Sequence, residues 1–254
     1  MSLKRLIGIN RALCDHIETR LPQAQSNMFS AYIETVVKYM NEPGRPKQVI
    51  VDIGGGKNCP FAALRDSGRT KIIAVDISAE EMAENHDVDE CRVADVTESL
   101  PFAADEVDMI VSRSALEHFV DLEKVITNCK KALRGGGYFI NLFPCRYAPF
   151  SIINQLLPNA AARTLLHHLR PAEQRGHLGF PAHYDKCYWD AFIRLLRRQG
   201  FEIREATVSY YQSRYFDFFF PLFLISSLYE IILHRFKLQN FGAYLLIVAQ
   251  LEQK

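Results

Sequence analysis

Residues 49–58 read Val-Ile-Val-Asp-Ile-Gly-Gly-Gly-Lys-Asn, an apolar run that passes through Asp52 and breaks into Gly54, Gly55 and Gly56. A strand that stops at glycines lets backbone N–H groups approach a ligand with no Cβ in the way. The next apolar run, Ile72-Ile73-Ala74-Val75, ends at Asp76, which lies 24 positions after Asp52. An acid at about that distance, closing the second strand of a βαβ unit, can accept hydrogen bonds from two ribose hydroxyls. Together the two features predict a nucleoside-bearing cofactor held at the edge of an α/β sheet. A nicotinamide fingerprint would need a glycine at position 59, which is Cys59. No Tyr is followed four positions later by Lys, and no Gly-Lys-Ser/Thr occurs, so a short-chain dehydrogenase dyad and a phosphate-binding P-loop are both excluded.

The elements that must position these residues alternate. Gln48–Ile53, Lys71–Ile77, Cys91–Val96 and Val107–Ser112 read as strands. Phe61–Asp66, residues 79–85 and Leu122–Leu133 read as helices between them, with Ser78 and Glu81 forming a capping-box pattern. Gly135–Gly137 are expected to cap the third of these helices and open strand Tyr138–Phe143. Such alternation implies a parallel sheet with helices on both faces. Two helices precede the series, the second over Met28–Met40 and stopped at Asn41-Glu42-Pro43-Gly44. After residue 184 the pattern predicts a helix over Asp185–Gln199, a strand over Phe201–Tyr211, a very apolar insertion over Phe216–Phe236 and a last strand over Phe241–Leu251.

At 254 residues the chain suits one α/β domain with insertions. Its net charge of +1 is uneven: residues 1–140 carry 17 Lys/Arg against 21 Asp/Glu, and residues 141–254 carry 13 against 8. A basic, aromatic second half points to an anionic or membrane-proximal partner, without the dense basic stripe that nucleic acid would require. The six cysteines, Cys14, Cys59, Cys91, Cys129, Cys145 and Cys187, form no zinc-type pair and read as reduced thiols of a cytoplasmic protein. Lys4 and Arg5 resemble the start of a secretory signal, but Asn10, Arg11 and Asp15 interrupt any hydrophobic stretch.

The ordered set Val-Asp-Ile-Gly-Gly-Gly, Ala-Val-Asp-Ile-Ser, Val-Ala-Asp-Val, Leu-Pro-Phe, Val-Asp-Met-Ile-Val-Ser-Arg-Ser-Ala-Leu-Glu-His-Phe and Leu-Arg-Gly-Gly-Gly-Tyr resembles the class I S-adenosylmethionine-dependent methyltransferases over about residues 48–143. The resemblance implies a Rossmann-like, seven-stranded, mostly parallel sheet with one antiparallel strand. It divides the chain into N-terminal helices (1–44) and a methyltransferase domain (45–254) with cap insertions at 144–184 and 214–238. It further implies S-adenosylmethionine as cofactor: Asp52, Gly54 and Gly56 facing its methionine part, Asp76 on the ribose, Ile77 and Val96 against the adenine, Asp95 on the adenine amino group, and Ser112 with Arg113 along the methionine side. The family often has a glycine two positions after Gly56, and here that position is Asn58.

Methyl transfer from a sulfonium is an in-line displacement, in which the protein mainly aligns donor and acceptor. A hydroxyl acceptor also needs a base. His118, beside Glu117, is the first candidate; His183 and Tyr184 follow, with His177 in the same insertion. No third ligand accompanies Glu117 and His118, so no metal is expected. The segment 144–184 combines Arg146, Arg163, Arg170 and Arg175 with apolar Phe150, Ile152, Ile153, Leu156 and Leu157, while His167 and His168 read as surface residues of an amphipathic helix. Basic and apolar surface over an active site suits a greasy, anionic acceptor such as a lipid-linked glycan or isoprenoid compound. A soluble small molecule or quinone-like acceptor, and a non-catalytic scaffold, are the alternatives. The 216–236 segment is not expected to span a membrane, because the strands on either side of it are antiparallel neighbours. It reads as a lid, a peripheral anchor at the inner face of the membrane, or an oligomer interface.

Overall fold

The computed structural model describes residues 3–20, 27–42, 47–156 and 181–253. Arg163, His167, His168, Arg170, Arg175 and His177 lie outside them. Helices α1 (Leu3–Glu18) and α2 (Met28–Met40) precede strand β1 (Gln48–Ile53). Strand β2 (Thr70–Asp76), the one-turn helix α3 (Ala79–Met82), β3 (Glu90–Val93) and β4 (Val107–Arg113) follow. Then come α4 (Leu122–Ala132), β5 (Leu133–Pro144), α5 (Pro149–Leu156), α6 (Trp189–Arg198), β6 (Phe201–Ser209), α7 (Phe220–Phe236) and β7 (Tyr244–Leu251). The seven strands form one sheet in the order β3-β2-β1-β4-β5-β7-β6. Strands β1 to β5 pair in parallel, and β7 runs antiparallel between β5 and β6.

Alternate residues of each strand fill two apolar layers. Val51, Ile53, Val75, Ile110, Phe139 and Phe143 face α4 and α6, and Ile50, Ile72, Met109, Val111, Ile140 and Leu142 face α2. The two-residue periodicity of a strand buried on both faces produces the continuous apolar runs seen in the sequence. The order reverses at β1, whose neighbours are β2 on one side and β4 on the other, so the carboxyl ends of these strands open a crevice.

Three expectations need correcting. Gly135–Gly137 do not cap α4; they lie inside β5. There Val107 pairs with Leu133 but Met109 with Tyr138, so β5 accommodates extra residues in a bulge. A Cβ at Gly137 would stand 2.8 Å from Leu133 Cγ and 2.9 Å from Asp108 O, and Gly136 has φ +77°. These glycines serve the bulge. The helix expected from Asp185 starts at Trp189, because the preceding turn puts Tyr184 and Lys186 at φ +52°. The helix expected over 79–85 lasts one turn, though its capping residue acts as expected: Ser78 Oγ accepts from the Glu81 N–H at 3.2 Å.

The strands around the 216–236 segment are antiparallel neighbours as expected, with Ser209 opposite Tyr244 and Tyr244 opposite Pro144. That segment therefore leaves and returns at the carboxyl end of β5. Among the described residues, no helix is long and apolar enough to cross a membrane.

Asp108 couples two strands across the opposite edge of the sheet. Its carboxylate is 2% exposed, accepts from the Val49 N–H at 2.7 Å and pairs with Arg134 at 2.8 Å. Removing it strands a backbone donor, so Asp108→Ala is expected to destabilise the fold by about 1–3 kcal/mol in urea unfolding. An unchanged midpoint would contradict this role.

Candidate active site

The floor of the crevice is the bend after β1. Gly54 has φ +68° and Gly56 φ +41°. A Cβ at Gly54 would lie 2.4 Å from the Ala115 Cβ, and one at Gly55 would lie 2.8 Å from the Ala74 Cβ. The Gly54 N–H donates to Val75 O at 2.8 Å, which binds the bend to β2. Asn85 closes it from outside, its amide donating to Gly55 O at 3.2 Å and Gly56 O at 3.1 Å. Nothing in the single sequence distinguished Asn85.

Asp76 stands beside this floor. One carboxylate oxygen accepts from the Gly56 N–H at 3.1 Å and the other from the Ser78 N–H at 2.9 Å. Ile77 next to it is exposed. Asp95 lies just past the end of β3, where Oδ1 accepts from the N–H and hydroxyl of Thr97, and Val96 is buried behind it. Ser112 and Arg113 end β4, with Ser112 opposite Ile53 of β1. Arg113 donates to Asn58 Oδ1 at 3.1 Å, so Asn58, in place of the family's glycine, ties the bend to β4. An adenosine-bearing cofactor laid along this crevice would meet Asp76, Ile77 and Val96 at one end and Asp52, Gly54, Gly56 and Ser112 at the other.

Asp52 is 5% exposed, and burial pushes its carboxyl up to about 7 against the favourable field of Arg113. Tyr32, on α2, is buried against it, and its hydroxyl oxygen has no hydrogen-bond partner among the described residues. This is a second contribution that strand reasoning missed. The Ser112 hydroxyl and the whole Asn141 amide are also buried without partners, although the two residues sit side by side on β4 and β5. Unpaired buried polar groups of this kind are costly unless a ligand or water meets them.

The wall after β4 carries Glu117 and His118. Burial pushes the Glu117 carboxyl up to about 8, so it is protonated at neutral pH. Its backbone carbonyl accepts from the N–H groups of His183 and Tyr184 at 2.7 and 2.9 Å, drawing residues 181–187 over the crevice. His118 Nδ1 lies 3.0 Å from Pro181 O. A carbonyl only accepts, so Nδ1 carries the proton and Nε2 is the basic nitrogen of the neutral ring. Burial holds the His118 pKa below its ordinary value, against the pull of the Pro181 hydrogen bond. Smaller effects come from His183, which lowers it, and Asp76, which raises it. His183 is exposed. Tyr184 is buried, its hydroxyl accepting from Asn154 at 3.3 Å, and burial raises its pKa, so the phenol keeps its proton and is less available than His118 to take one. Among the described residues no group of three or more His, Cys, Asp or Glu could hold a metal ion.

The raised carboxyls have a measurable consequence. In the unfolded chain Asp52, Glu117 and Glu230 release protons near pH 4 to 4.5, whereas in the fold they hold them to about 7, 8 and 7. The folded chain binds the extra protons, so the stability they confer is complete below pH 4 and is lost as pH rises through 7 and 8. We expect the ligand-free protein to unfold at lower urea concentration at pH 8.5 than at pH 7, and Glu117→Gln to shrink that difference. A midpoint that rises over this range would refute the assignment. At the floor, Gly54→Ala is expected to abolish cofactor binding, since it adds a clash to left-handed backbone strain. Asp76→Ala is expected to weaken cofactor binding by about 1.5–3 kcal/mol, read by titration calorimetry.

Residues 51–141 match the family described as Methyltransferase domain. No curated protein matches the chain. Among solved structures it is similar to a geranyl diphosphate C-methyltransferase from Streptomyces coelicolor A3(2), in complex with Mg2+, geranyl diphosphate and S-adenosyl-L-homocysteine, at 15% identity and TM-score 0.55 over 87% of this chain and 78% of that one. It is similar to an S-adenosylmethionine-dependent methyltransferase from Mesorhizobium loti at 18% identity and TM-score 0.53, over 86% of this chain and 97% of the other. It also resembles the [4+2]-cyclase SpnF at 15% identity and TM-score 0.54, over 87% and 81%. The crevice, the family match and these folds agree: residues 51–141 match a methyltransferase domain, and the sheet around them has the fold of these solved structures.

Proposed function

We propose that this protein transfers the methyl group of S-adenosylmethionine to an oxygen of a glycan, or of another lipid-linked or isoprenoid acceptor. Gly54 and Gly56 receive the methionine portion, with Asp52 and Ser112 beside it. Asp76 holds the ribose hydroxyls, Ile77 and Val96 flank the adenine, and Asp95 accepts from its amino group. The sulfonium supplies an activated electrophile, so alignment contributes most of the rate. His118, neutral and with Nε2 unprotonated, takes the proton of the acceptor hydroxyl as the new C–O bond forms. Glu117, His183 and Tyr184 hold the wall that orients it.

One observation carries the acceptor class. A series of partly open rings leads away from the end of β4. Arg113 lies over Phe29, Phe29 meets Tyr244 edge-on at 6.0 Å, Tyr244 stacks with Phe150 at 5.7 Å, and Phe150 stacks with Tyr215 at 4.3 Å. An apolar track with a guanidinium at its inner end suits a long hydrocarbon with an anionic head. The geranyl diphosphate bound by one structural neighbour is a short member of that class. An acceptor of this kind resides in a membrane, so the reading includes a peripheral contact through residues 216–236. A soluble small-molecule or quinone-like acceptor is the second reading; the neutral base and protonated Glu117 would serve it equally.

Tritiated-methyl S-adenosylmethionine with polyprenyl-linked glycans, and separately with soluble hydroxylated quinones, separates the two. We expect label in the lipid-linked pool as an ether; label only in quinones would reject the acceptor class. His118→Ala is expected to lower kcat by about 10²–10⁴ with the cofactor Kd unchanged.

A further inference from the structure

Helix α7 buries three polar residues in its middle turns. Ser226, Ser227 and Glu230 are buried, Glu230 to 2% exposure. The Glu230 carboxylate accepts from the Gln212 N–H at 3.0 Å and from the Ser226 hydroxyl at 3.3 Å. The opposite face of the helix carries Leu224, Ile225, Leu228, Ile232 and Phe236, with Ile225, Leu228 and Phe236 exposed to 65%, 60% and 68%. Phe223 and Leu233 share the buried face, so large apolar side chains lie on both sides of the helix. Helix α1 docks alongside through polar contacts: Asn10 Oδ1 accepts from the Phe220 N–H at 2.8 Å, and Arg11 pairs with Asp217 at 3.1 Å. It leaves Leu6, Ile9 and Leu13 exposed. Eight large apolar side chains on two adjacent helices exceed scattered surface apolarity.

Charge on these helices is sorted as well. The segments 3–18 and 213–241 contain four acids. Asp15 and Glu18 pair with Arg214, Asp217 pairs with Arg11, and Glu230 is buried. Arg235 and Lys237, at the end of α7, are exposed, as is Arg20 just past α1. A second copy placed on this face would bring Arg235 and Lys237 to a surface whose acids are already engaged. An anionic bilayer supplies both the apolar phase and the negative charge.

We propose that the outer faces of α1 and α7 together dock on an anionic lipid surface, with both helices lying in the headgroup plane. The proposal deepens the peripheral contact named above and rests on that reading only for its purpose; its geometry does not depend on the acceptor. Because the segment between β6 and β7 departs from the carboxyl end of β5, docking there sets the mouth of the crevice beside the bilayer.

Flotation of the full chain with phosphatidylcholine vesicles, with and without phosphatidylglycerol, tests it. We expect binding to the anionic vesicles at least tenfold above that to neutral ones, falling as salt is raised. Ile225→Glu/Leu228→Glu is expected to reduce vesicle binding at least tenfold, with cofactor affinity within twofold of the wild type, which certifies the fold. Arg235→Glu/Lys237→Glu is expected to remove the preference for anionic lipid. Wild-type protein that stays in the aqueous fraction would overturn the proposal. So would a dimer, seen by light scattering, that the apolar substitutions dissociate without any vesicle binding. If the acceptor reading alone is wrong, flotation persists while lipid-linked acceptors remain unlabelled.

Discussion

The bend after β1 can exist only without side chains. Gly54 sits in a left-handed conformation, with Ala115 close enough to exclude a methyl group, and its N–H is bound to the carbonyl of Val75. This contact brings the end of β1, the end of β2 and the segment after β4 within one small space. Asp76 then reaches the Gly56 N–H, Asn85 clamps the outside of the bend, and Asn58 meets Arg113 across it. The crevice is thus formed mainly by backbone, which is why its position depends on a few residue types while the remaining surface is free to specify an acceptor.

The sequence was most legible where geometry forces residue choice. β1 was read to its exact ends, and Met28–Met40 likewise, because buried strands and a buried helical stripe leave strong apolar periodicities. Gly54, Gly56 and Asp76 were legible for the same reason: a bend without Cβ atoms and an acid one βαβ unit later leave few alternatives. The triple glycine at 135–137 misled because a glycine run after a helix resembles a cap, whereas it serves a bulge that brings β4 and β5 back into register. Asn85 and Tyr32 were illegible. Each acts through a contact between segments far apart in the chain, and neither follows a local pattern.

The proposed acceptor track was less legible because its parts come from separate elements. Phe29 of α2, Phe150 of α5, Tyr215 before α7 and Tyr244 of β7 converge only in the fold. Helix α7 is similar: the segment reads as very apolar, and only the fold shows that Ser226, Ser227 and Glu230 take the buried face while Ile225, Leu228 and Phe236 stay exposed. Fold likeness alone would not have supplied a reaction, since a [4+2]-cyclase shares this architecture. The chemistry rests on the residues lining the crevice.

A crystal structure of the protein bound to S-adenosylmethionine tests the central claim most directly. The account predicts the ribose hydroxyls on Asp76, the adenine against Ile77 and Val96, and the sulfonium methyl directed toward His118. A cofactor bound elsewhere, or one in the crevice with its sugar turned away from Asp76, would contradict it.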